Sequence, residues 1–215
     1  MSGHVKGAGE DGVTRRPDRA RATRRRIVDA AADLFIANGY AATTLEQVAD
    51  RAGVAVQTVY FHFGNKRTVL KQAVDIAAVG DDEPVPLLDR PWLEEIQAEP
   101  DPRRIIEQWA HNSRTITARV APIMRVVRAA AAIDPDMAAQ WDTNEQQRAT
   151  AFRALAQLLA DRDALTPGLS VEEATDVIFA LLSIEVYLLL TATRGWTPAH
   201  WERWVAAILT YALLG

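Results

Sequence analysis

Three consecutive side chains at positions 56–58 have the chemistry needed to read base pairs. Gln57 can bond both N6 and N7 of adenine, and Val56 and Thr58 can contact the methyl group of thymine. Such side chains reach base edges when they lie near the start of a helix that enters the major groove. The three residues are therefore candidates for base recognition, with A·T pairs favoured at the contacted positions.

Two short helices around a glycine turn are predicted to position these side chains. Thr44 and Gln47 have the spacing of a capping box, so a helix should begin at Thr44. Gly53 can end that helix in a left-handed conformation. A second helix up to Phe63 should then bury an apolar stripe of Val56, Val59, Tyr60 and Phe63. This arrangement is typical of a helix-turn-helix, although a small helical hairpin of another function has the same spacing.

The stretch from about Arg24 to Lys71 resembles the DNA-binding unit of the tetracycline-repressor (TetR) family. The matching positions are Gly39-Tyr40, Thr44, Val48-Ala49, Gly53-Val54, Thr58-Val59-Tyr60, His62-Phe63 and Asn65-Lys66. The resemblance implies that Thr44, Tyr60, His62 and Lys66 hold the phosphate backbone of double-stranded DNA. Tyr60 and His62 could instead be packing residues. Ala55 departs from the family pattern, in which a Ser or Thr often caps the second helix.

Composition is that of an ordinary soluble globular protein. The chain has 215 residues, of which 49% are hydrophobic and 24% charged, and its formal net charge is −4. Residues 1–75 carry 12 Lys and Arg against 8 Asp and Glu, whereas the remainder carry 12 against 20. The basic part thus contains the proposed reading unit, as an electrostatic footprint on DNA requires. With no cysteine and no apolar signal-like stretch near residue 1, we expect a cytoplasmic protein.

Three regions are expected along the chain. Residues 1–17 are rich in glycine and charge and should form a disordered basic arm, which could lie along DNA or simply be solvated. Residues 18–80 should form the DNA-binding domain, whose first helix begins between Asp18 and Thr23. The acidic, proline-rich segment at residues 81–91 marks a boundary, and residues 81–215 should form a C-terminal effector-binding and dimerisation domain.

The C-terminal region is predicted to be helical throughout, which makes the fold class all-α. Pro122 should break a long helix near residues 119–121, because proline disrupts helix interiors. Asp134 opens the next helix, which residues 165–168 should end. Ser170 and Glu173 form a second capping box ahead of an apolar helix, and Thr197 begins the last one.

The apolar run from Val177 to Ala192 is expected to be covered by protein and not to cross a membrane. A spanning helix needs about 20 mainly apolar residues, and this run has Glu185 in its middle. A helix that is apolar nearly all round must be covered on several sides, which favours a second subunit. The TetR resemblance likewise implies a homodimer that pairs its last two helices in a four-helix bundle.

Aromatic and polar residues on these C-terminal helices suggest a ligand pocket. The candidate ligand-binding residues are Trp109, Asn112, Arg128, Trp141 and Glu185. The alternative is that the tryptophans belong to the core and the arginines pair with surface acids. Glu185 is expected to be buried, either in a structural ion pair with Arg125 or Arg128 or facing the pocket.

Enzyme and metal chemistry find no support in the sequence. The four histidines are far apart, no Cys/His cluster or glycine-rich phosphate loop occurs, and no catalytic residue can be named. We therefore predict a non-enzymatic transcriptional regulator without cofactor, most simply a repressor that a small-molecule effector releases from a palindromic operator. The alternative is a helical DNA-binding protein whose C-terminal domain serves protein association without a small ligand.

Overall fold

The structure is a computed structural model that describes residues 15–81 and 89–215. Nearly all of the predicted basic arm and most of the predicted boundary segment at 81–91 lie outside these ranges. The helices that follow the chain in order are α1 Arg15–Asn38, α2 Leu45–Ala52, α3 Val56–Phe63, α4 Lys66–Val79, α5 Pro91–Ala98, α6 Pro102–Ala131, α7 Pro135–Ala160, α8 Val171–Leu181, α9 Ile184–Leu188 and α10 Pro198–Leu214. A π-helical turn at Leu189–Thr193 follows α9. The described ranges contain no strand, and the predicted all-α class is confirmed.

Helices α1 to α4 form the N-terminal unit, and their ends lie where local sequence signals place them. Thr44 caps α2 through a complete capping box with Gln47, and Gly53 ends α2 at a φ of 66°. Asn65 caps α4 by accepting from the Thr68 amide. Helix α1 begins at Arg15, earlier than predicted, so the last residues of the predicted arm are helical.

Buried side chains from all four helices form the core of this unit. The fully covered ones include Ile27, Phe35, Val48, Val59 and Leu70. Tyr60 was expected in this apolar stripe, and that expectation is wrong: its side chain is 48% exposed. The core therefore fixes α3 through Val59 and Phe63, while the opposite face of the helix points to solvent.

Helix α6 is continuous from Pro102 to Ala131, so the predicted break near residues 119–121 is wrong. Pro122 cannot donate to the carbonyl of Ala118, a loss that costs about 3 kcal/mol or more in a helix interior. The neighbours Ala121, Ile123 and Met124 are almost completely buried. Because α6 packs against α4, α7 and α10, the burial of this face offsets the missing bond.

Two other helix boundaries differ from the expectations. Helix α7 ends at Ala160, five residues before the predicted stop. The expected single helix across Val177–Ala192 is interrupted, since α8 ends at Leu181 and Ser183 begins α9 by accepting from the Val186 amide. Arg148 donates to the carbonyl of Leu182 at 3.4 Å and so helps to satisfy the backbone at this interruption.

The stretch Val171–Thr193 has the length and composition of a membrane-spanning helix, with a mean hydropathy of 1.8. Core helices of soluble proteins pass the same test. Only 28% of its most apolar window is buried inside the chain. The stretch thus has far more apolar surface than this single chain covers.

Candidate DNA-binding surface and effector cavity

The three proposed base-reading residues lie together in the first turn of α3. Gln57 is exposed, and Val56 and Thr58 are half-buried. Ala55 stands at the N-cap position and makes no side-chain bond there. The helix start is held instead by the backbone, with the Thr58 amide donating to the carbonyl of Ala55 at 2.9 Å. This geometry gives the Gln57 amide an unobstructed path to a partner outside the protein.

The candidate phosphate-binding residues are exposed to different degrees. Thr44 is exposed at the start of α2, Tyr60 is half-exposed on α3, and His62 is half-buried. The Thr44 hydroxyl accepts from the Gln47 amide at 3.3 Å, so its own proton remains for a phosphate. Thr44 and Tyr60 thus present hydroxyl donors to solvent, and Tyr60 follows Gln57 by three residues on α3.

Phe61 is the most exposed large apolar side chain of α3, at 86%. Its ring meets that of His62 edge-on, with centroids 5.3 Å apart. Sequence reasoning did not select Phe61, although its position off the stripe of Val59 and Phe63 was a signal of exposure. An aromatic ring held in solvent beside Tyr60 adds apolar surface to the side of α3 that would meet DNA.

Lys66 has a structural role that the sequence did not reveal. Its ammonium donates to the carbonyl oxygens of Tyr40 at 2.8 Å and Thr43 at 2.9 Å, and it lies 4.3 Å from the centre of the Tyr40 ring. Partial burial lowers the pKa of Lys66. These contacts clamp the α1–α2 turn onto the start of α4. The geometry favours this positioning role over the phosphate contact implied by the resemblance.

Ion pairs also connect the N-terminal unit to the C-terminal helices. The Arg67 guanidinium on α4 pairs with Asp134 at 3.5 Å and with Asp136, both at the start of α7. At the other end of α4, Arg119 of α6 donates to the carbonyl oxygens of Ala77 at 3.1 Å and Ala78 at 3.2 Å. A Cβ atom at Gly80 would lie 3.1 Å from the Arg119 guanidinium carbon. Both ends of α4 are therefore attached to α6 or α7.

A cavity of about 730 Å³ lies between α4, α6, α7 and the α8–α9 junction. Trp92 and Trp109 form part of its apolar wall and meet edge-on with ring centroids 5.7 Å apart. Polar side chains of Asn112, Thr117 and Asn144 also reach it. The volume falls in the range of small-molecule sites, which are typically apolar with a few placed polar groups.

The five candidate ligand-binding residues divide between two places. Trp109 and Asn112 line the cavity, whereas Arg128, Trp141 and Glu185 lie together in a separate groove of about 350 Å³. Arg128 pairs with Glu185, one of the two predicted partners, and its guanidinium lies 5.6 Å from the centre of the Trp141 ring. The expectation of a buried Glu185 is wrong, because its side chain is 39% exposed. Because solvent hydrates the Glu185 carboxylate, its charge does not depend on Arg128 alone for stabilisation.

Metal ligands are not grouped anywhere in the described part of the chain, where no cluster of three His, Asp or Glu side chains could hold an ion. Asn144 and Arg119 are the residues of this region that sequence reasoning missed. Their roles depend on contacts with residues distant along the chain, which helical periodicity does not encode.

Comparisons with known proteins agree with this geometry. The family model of bacterial regulatory proteins, tetR family, matches residues 27–73. The uncharacterised HTH-type transcriptional regulator TtgW of Pseudomonas putida is 48% identical over 52 residues, which are 24% of this chain and 39% of that protein. The HTH-type transcriptional regulator SrpR of Pseudomonas putida is also 48% identical over 52 residues, which are 24% of its length. The match thus spans less than half of the length of these curated relatives.

Solved structures resemble the whole chain at low sequence identity. NalD, the secondary repressor of a multidrug efflux pump in Pseudomonas aeruginosa, matches with a TM-score of 0.67 and 21% identity, covering 91% of this chain and 98% of that one. The transcriptional regulator FadR of Bacillus subtilis, solved with stearoyl-CoA, matches with a TM-score of 0.71 and 17% identity, covering 87% of this chain and 98% of that one. These likenesses show the fold: a helix-turn-helix unit joined to a helical C-terminal domain. The match at residues 27–73 identifies the N-terminal unit as a tetR-family DNA-binding domain, and the chain as a whole resembles TetR-family regulators in fold.

Proposed function

We propose that this protein is a cytoplasmic, homodimeric repressor that a small molecule releases from a palindromic DNA operator. The observation that carries the proposal is the position of the cavity, because α4 forms one of its walls and also packs against the DNA-reading unit. A ligand in the cavity would therefore contact the same helix that positions α3.

The DNA-binding part of the proposal is supported by the surface of α3. Gln57 would read a base, with Val56 and Thr58 beside it, and Thr44, Tyr60 and His62 would bind phosphates. Phe61 would lie against the sugar and base edges on the same side. Lys66 would act indirectly, by holding the α1–α2 turn and the start of α4 in register.

The dimer part is supported by apolar surface on the last helices. Leu189 is 54% exposed, Ile208 37% and Tyr211 79%, and most of the Val171–Thr193 surface is uncovered within one chain. A second copy that pairs the same helices would cover this surface in a self-complementary, two-fold interface. Two reading helices related by that axis would fit a palindrome whose half-sites face the same side of the duplex.

The release part is supported by the attachments of α4. Arg119 caps its last turn from α6, and Arg67 ties its first turn to α7. A ligand that changes the spacing of α6 and α7 would move α4 and, through the pairing of the two chains, the separation of the reading helices. To lower operator affinity tenfold, it must favour the DNA-free arrangement by about 1.4 kcal/mol.

Three measurements on the full chain test the proposal. Selection from random duplexes should return a palindrome, and sedimentation should give a dimer. Anisotropy titrations of that duplex should then reveal compounds that lower its affinity for the wild type but not for Ala151→Phe, which fills the cavity without touching α3. Failure to select any duplex would overturn the DNA-binding part. Compounds that bind the cavity without changing DNA affinity would favour the alternative, a C-terminal domain for protein association.

A further inference from the structure

The charged side chains that line the cavity are engaged with the protein itself. Among the described residues, these are Asp75, Asp81 and Arg148. Asp75 accepts from Lys71 at 3.0 Å, Asp81 accepts from Arg90 at 2.8 Å, and Arg148 donates to Glu145 at 2.6 Å. A charged ligand would have to compete with these partners or enter a largely apolar site uncompensated, which is costly.

Arg148 is the only cation of this set, and its position makes it a poor anchor for an anion. Its guanidinium lies 4.9 Å from the centre of the Phe179 ring and 5.6 Å from that of Phe152, and its side chain is 19% exposed. It also donates to the carbonyl of Leu182, at the interruption between α8 and α9. If Arg148 moved to bind an anion, the carbonyl of Leu182 would lose this donor and Glu145 would lose its ion-pair partner.

Asn144 offers the cavity a hydrogen-bond donor that the protein satisfies only weakly. The residue is 7% exposed, and its amide oxygen accepts from Gln140 at 2.9 Å. Its amide nitrogen donates to the thioether sulfur of Met124 at 3.4 Å. A thioether is a weak acceptor, so an oxygen of a ligand would be a better partner for this buried N–H group.

A second polar group lies far from Asn144 along α6. The amide nitrogen of Asn112 donates to the carbonyl of Gln108 at 2.9 Å, which leaves its oxygen as an acceptor. Asn112 precedes Met124, the partner of Asn144, by a helical distance of roughly 18 Å. Between these ends the wall is mainly apolar: it includes Ile116, Val120 and Phe152, with the hydroxyls of Ser113 and Thr117 among them. The cavity is thus long and mainly apolar, with uncharged polar side chains that can meet a ligand and with charged side chains that are paired within the protein.

We infer that the cavity binds an uncharged, elongated, mainly aromatic or aliphatic ligand that carries an oxygen acceptor at the end facing Asn144. This inference rests on the proposed function, in which the cavity is the effector site, and it names the class of effector. Asn144 is then the residue that selects oxygen-bearing ligands over pure hydrocarbons of the same shape.

Three dyes of similar size but different charge test the ligand class on the full chain. Nile red is neutral and has a carbonyl oxygen, ethidium is a cation, and anilinonaphthalene sulfonate is an anion. We expect Nile red to bind at least about tenfold more tightly than either charged dye, and Ala151→Phe to weaken it because that variant fills the cavity. A charged dye that binds as tightly as Nile red and is lost in Ala151→Phe would overturn the inference.

Two variants of Asn144 test the donor. Asn144→Leu removes it at similar volume, and Asn144→Asp replaces it with an acceptor of nearly the same shape. Each variant should lower the affinity for Nile red by about five- to tenfold, the usual effect of one hydrogen bond. The affinity for pyrene, which has no oxygen, should stay at its wild-type value. Thermal melts identify any variant that fails to fold. If one of the two fails, the folded variant alone tests whether the Asn144 donor binds the ligand. Wild-type affinity for Nile red in a folded Asn144 variant would overturn the role of Asn144.

Operator titrations separate this inference from the proposed function. If Nile red binds as described but leaves operator affinity unchanged, the release mechanism fails and the ligand class stands. If instead charged compounds release the operator through the cavity, as judged by loss of the effect in Ala151→Phe, the release mechanism stands and the ligand class fails.

Discussion

The N-terminal unit and the C-terminal domain differ in how completely they satisfy their interior polar groups and cover their apolar surface. The N-terminal unit satisfies its interior polar groups: the Thr43 hydroxyl, fully buried, donates to the carbonyl of Gly39 at 2.9 Å, and the Lys66 ammonium bonds two carbonyls of the same turn. The C-terminal domain, in contrast, contains a cavity and exposes an apolar face around Ile208. Its buried Asn144 amide donates to a weak acceptor, the thioether sulfur of Met124. The interior of the N-terminal unit is therefore closed, whereas the C-terminal domain has space and apolar surface for further partners.

This difference fits the tasks proposed for the two halves. A reading helix must hold Gln57 in one position, so its supports should be rigid and complete. A domain that pairs with a copy and responds to a ligand must retain apolar surface and space, both of which cost stability in the isolated chain. The contrast predicts that substitutions of interior polar groups in the N-terminal unit act on folding, whereas substitutions at the apolar face or the cavity of the C-terminal domain act on assembly or ligand binding.

The largest effect is expected from a charge placed on the apolar face of the C-terminal domain. Ile208→Glu should abolish the dimer and weaken operator binding by about 100-fold or more, because each half-site would then be bound separately. Sedimentation and anisotropy measure the two losses. Ile133→Glu is the matched control, since Ile133 is 74% exposed in the α6–α7 turn and should tolerate the same change. A monomer that binds the operator normally would refute the idea that this face completes the structure.

The next effect concerns the closed N-terminal unit. Lys66→Met removes two charge-assisted hydrogen bonds of the α1–α2 turn, and we expect it to lower the free energy of unfolding by about 2 kcal/mol. Lys71→Met on the same helix removes an exposed ion pair and should cost less than about 1 kcal/mol. Urea titrations compare the two. If Lys66→Met weakens DNA binding without loss of stability, Lys66 contacts phosphate directly and the positioning role is wrong.

A smaller and more selective effect is expected at the reading surface. Gln57→Ala should weaken the preferred operator by about 1 to 2 kcal/mol while leaving binding to random DNA and thermal stability unchanged. Tyr60→Phe should instead weaken both DNAs alike, because its proposed partner is a phosphate. Anisotropy titrations on the two duplexes separate these outcomes. Equal losses on both duplexes for Gln57→Ala would remove it from the base-reading residues.

The smallest effect is expected at Glu185. Its ion pair with Arg128 is half-exposed, so Glu185→Gln should change stability by less than about 1 kcal/mol, as is usual for surface pairs. Glu172→Gln on α8, which breaks the exposed pair of Glu172 with Arg153 of α7, should likewise have little effect on stability. Neither should alter Nile red binding. A large loss of stability at Glu185 alone would mean that a partner subunit buries this pair.

Most helix ends that have a signal within four residues were predictable. The capping boxes at Thr44 and Ser170, the N-caps at Asn65, Asp134 and Thr197, and the glycine stops at Gly39, Gly53 and Gly80 are all confirmed. Such signals act through hydrogen bonds and backbone conformations that the local sequence specifies by itself. The start of α1 and the end of α7, which lack such a signal, were misplaced, and the interruption between α8 and α9 was missed although Ser183 provides an N-cap there. The domain division at residues 80 and 81 and the roles of the proposed site residues stay predictions.

The sequence by itself determined the TetR-family character of the N-terminal unit, the all-α class and the position of α3, because these depend on short-range spacing and on a motif within residues 27–73. Only the tertiary structure decided that α6 continues through Pro122, that Lys66 clamps a turn 23 residues earlier, and that Asn144 faces a cavity while Glu185 does not. The physical reason is the same in each case. Packing between distant segments can outweigh a local preference of a few kcal/mol, and it alone determines which polar groups find partners and where space remains.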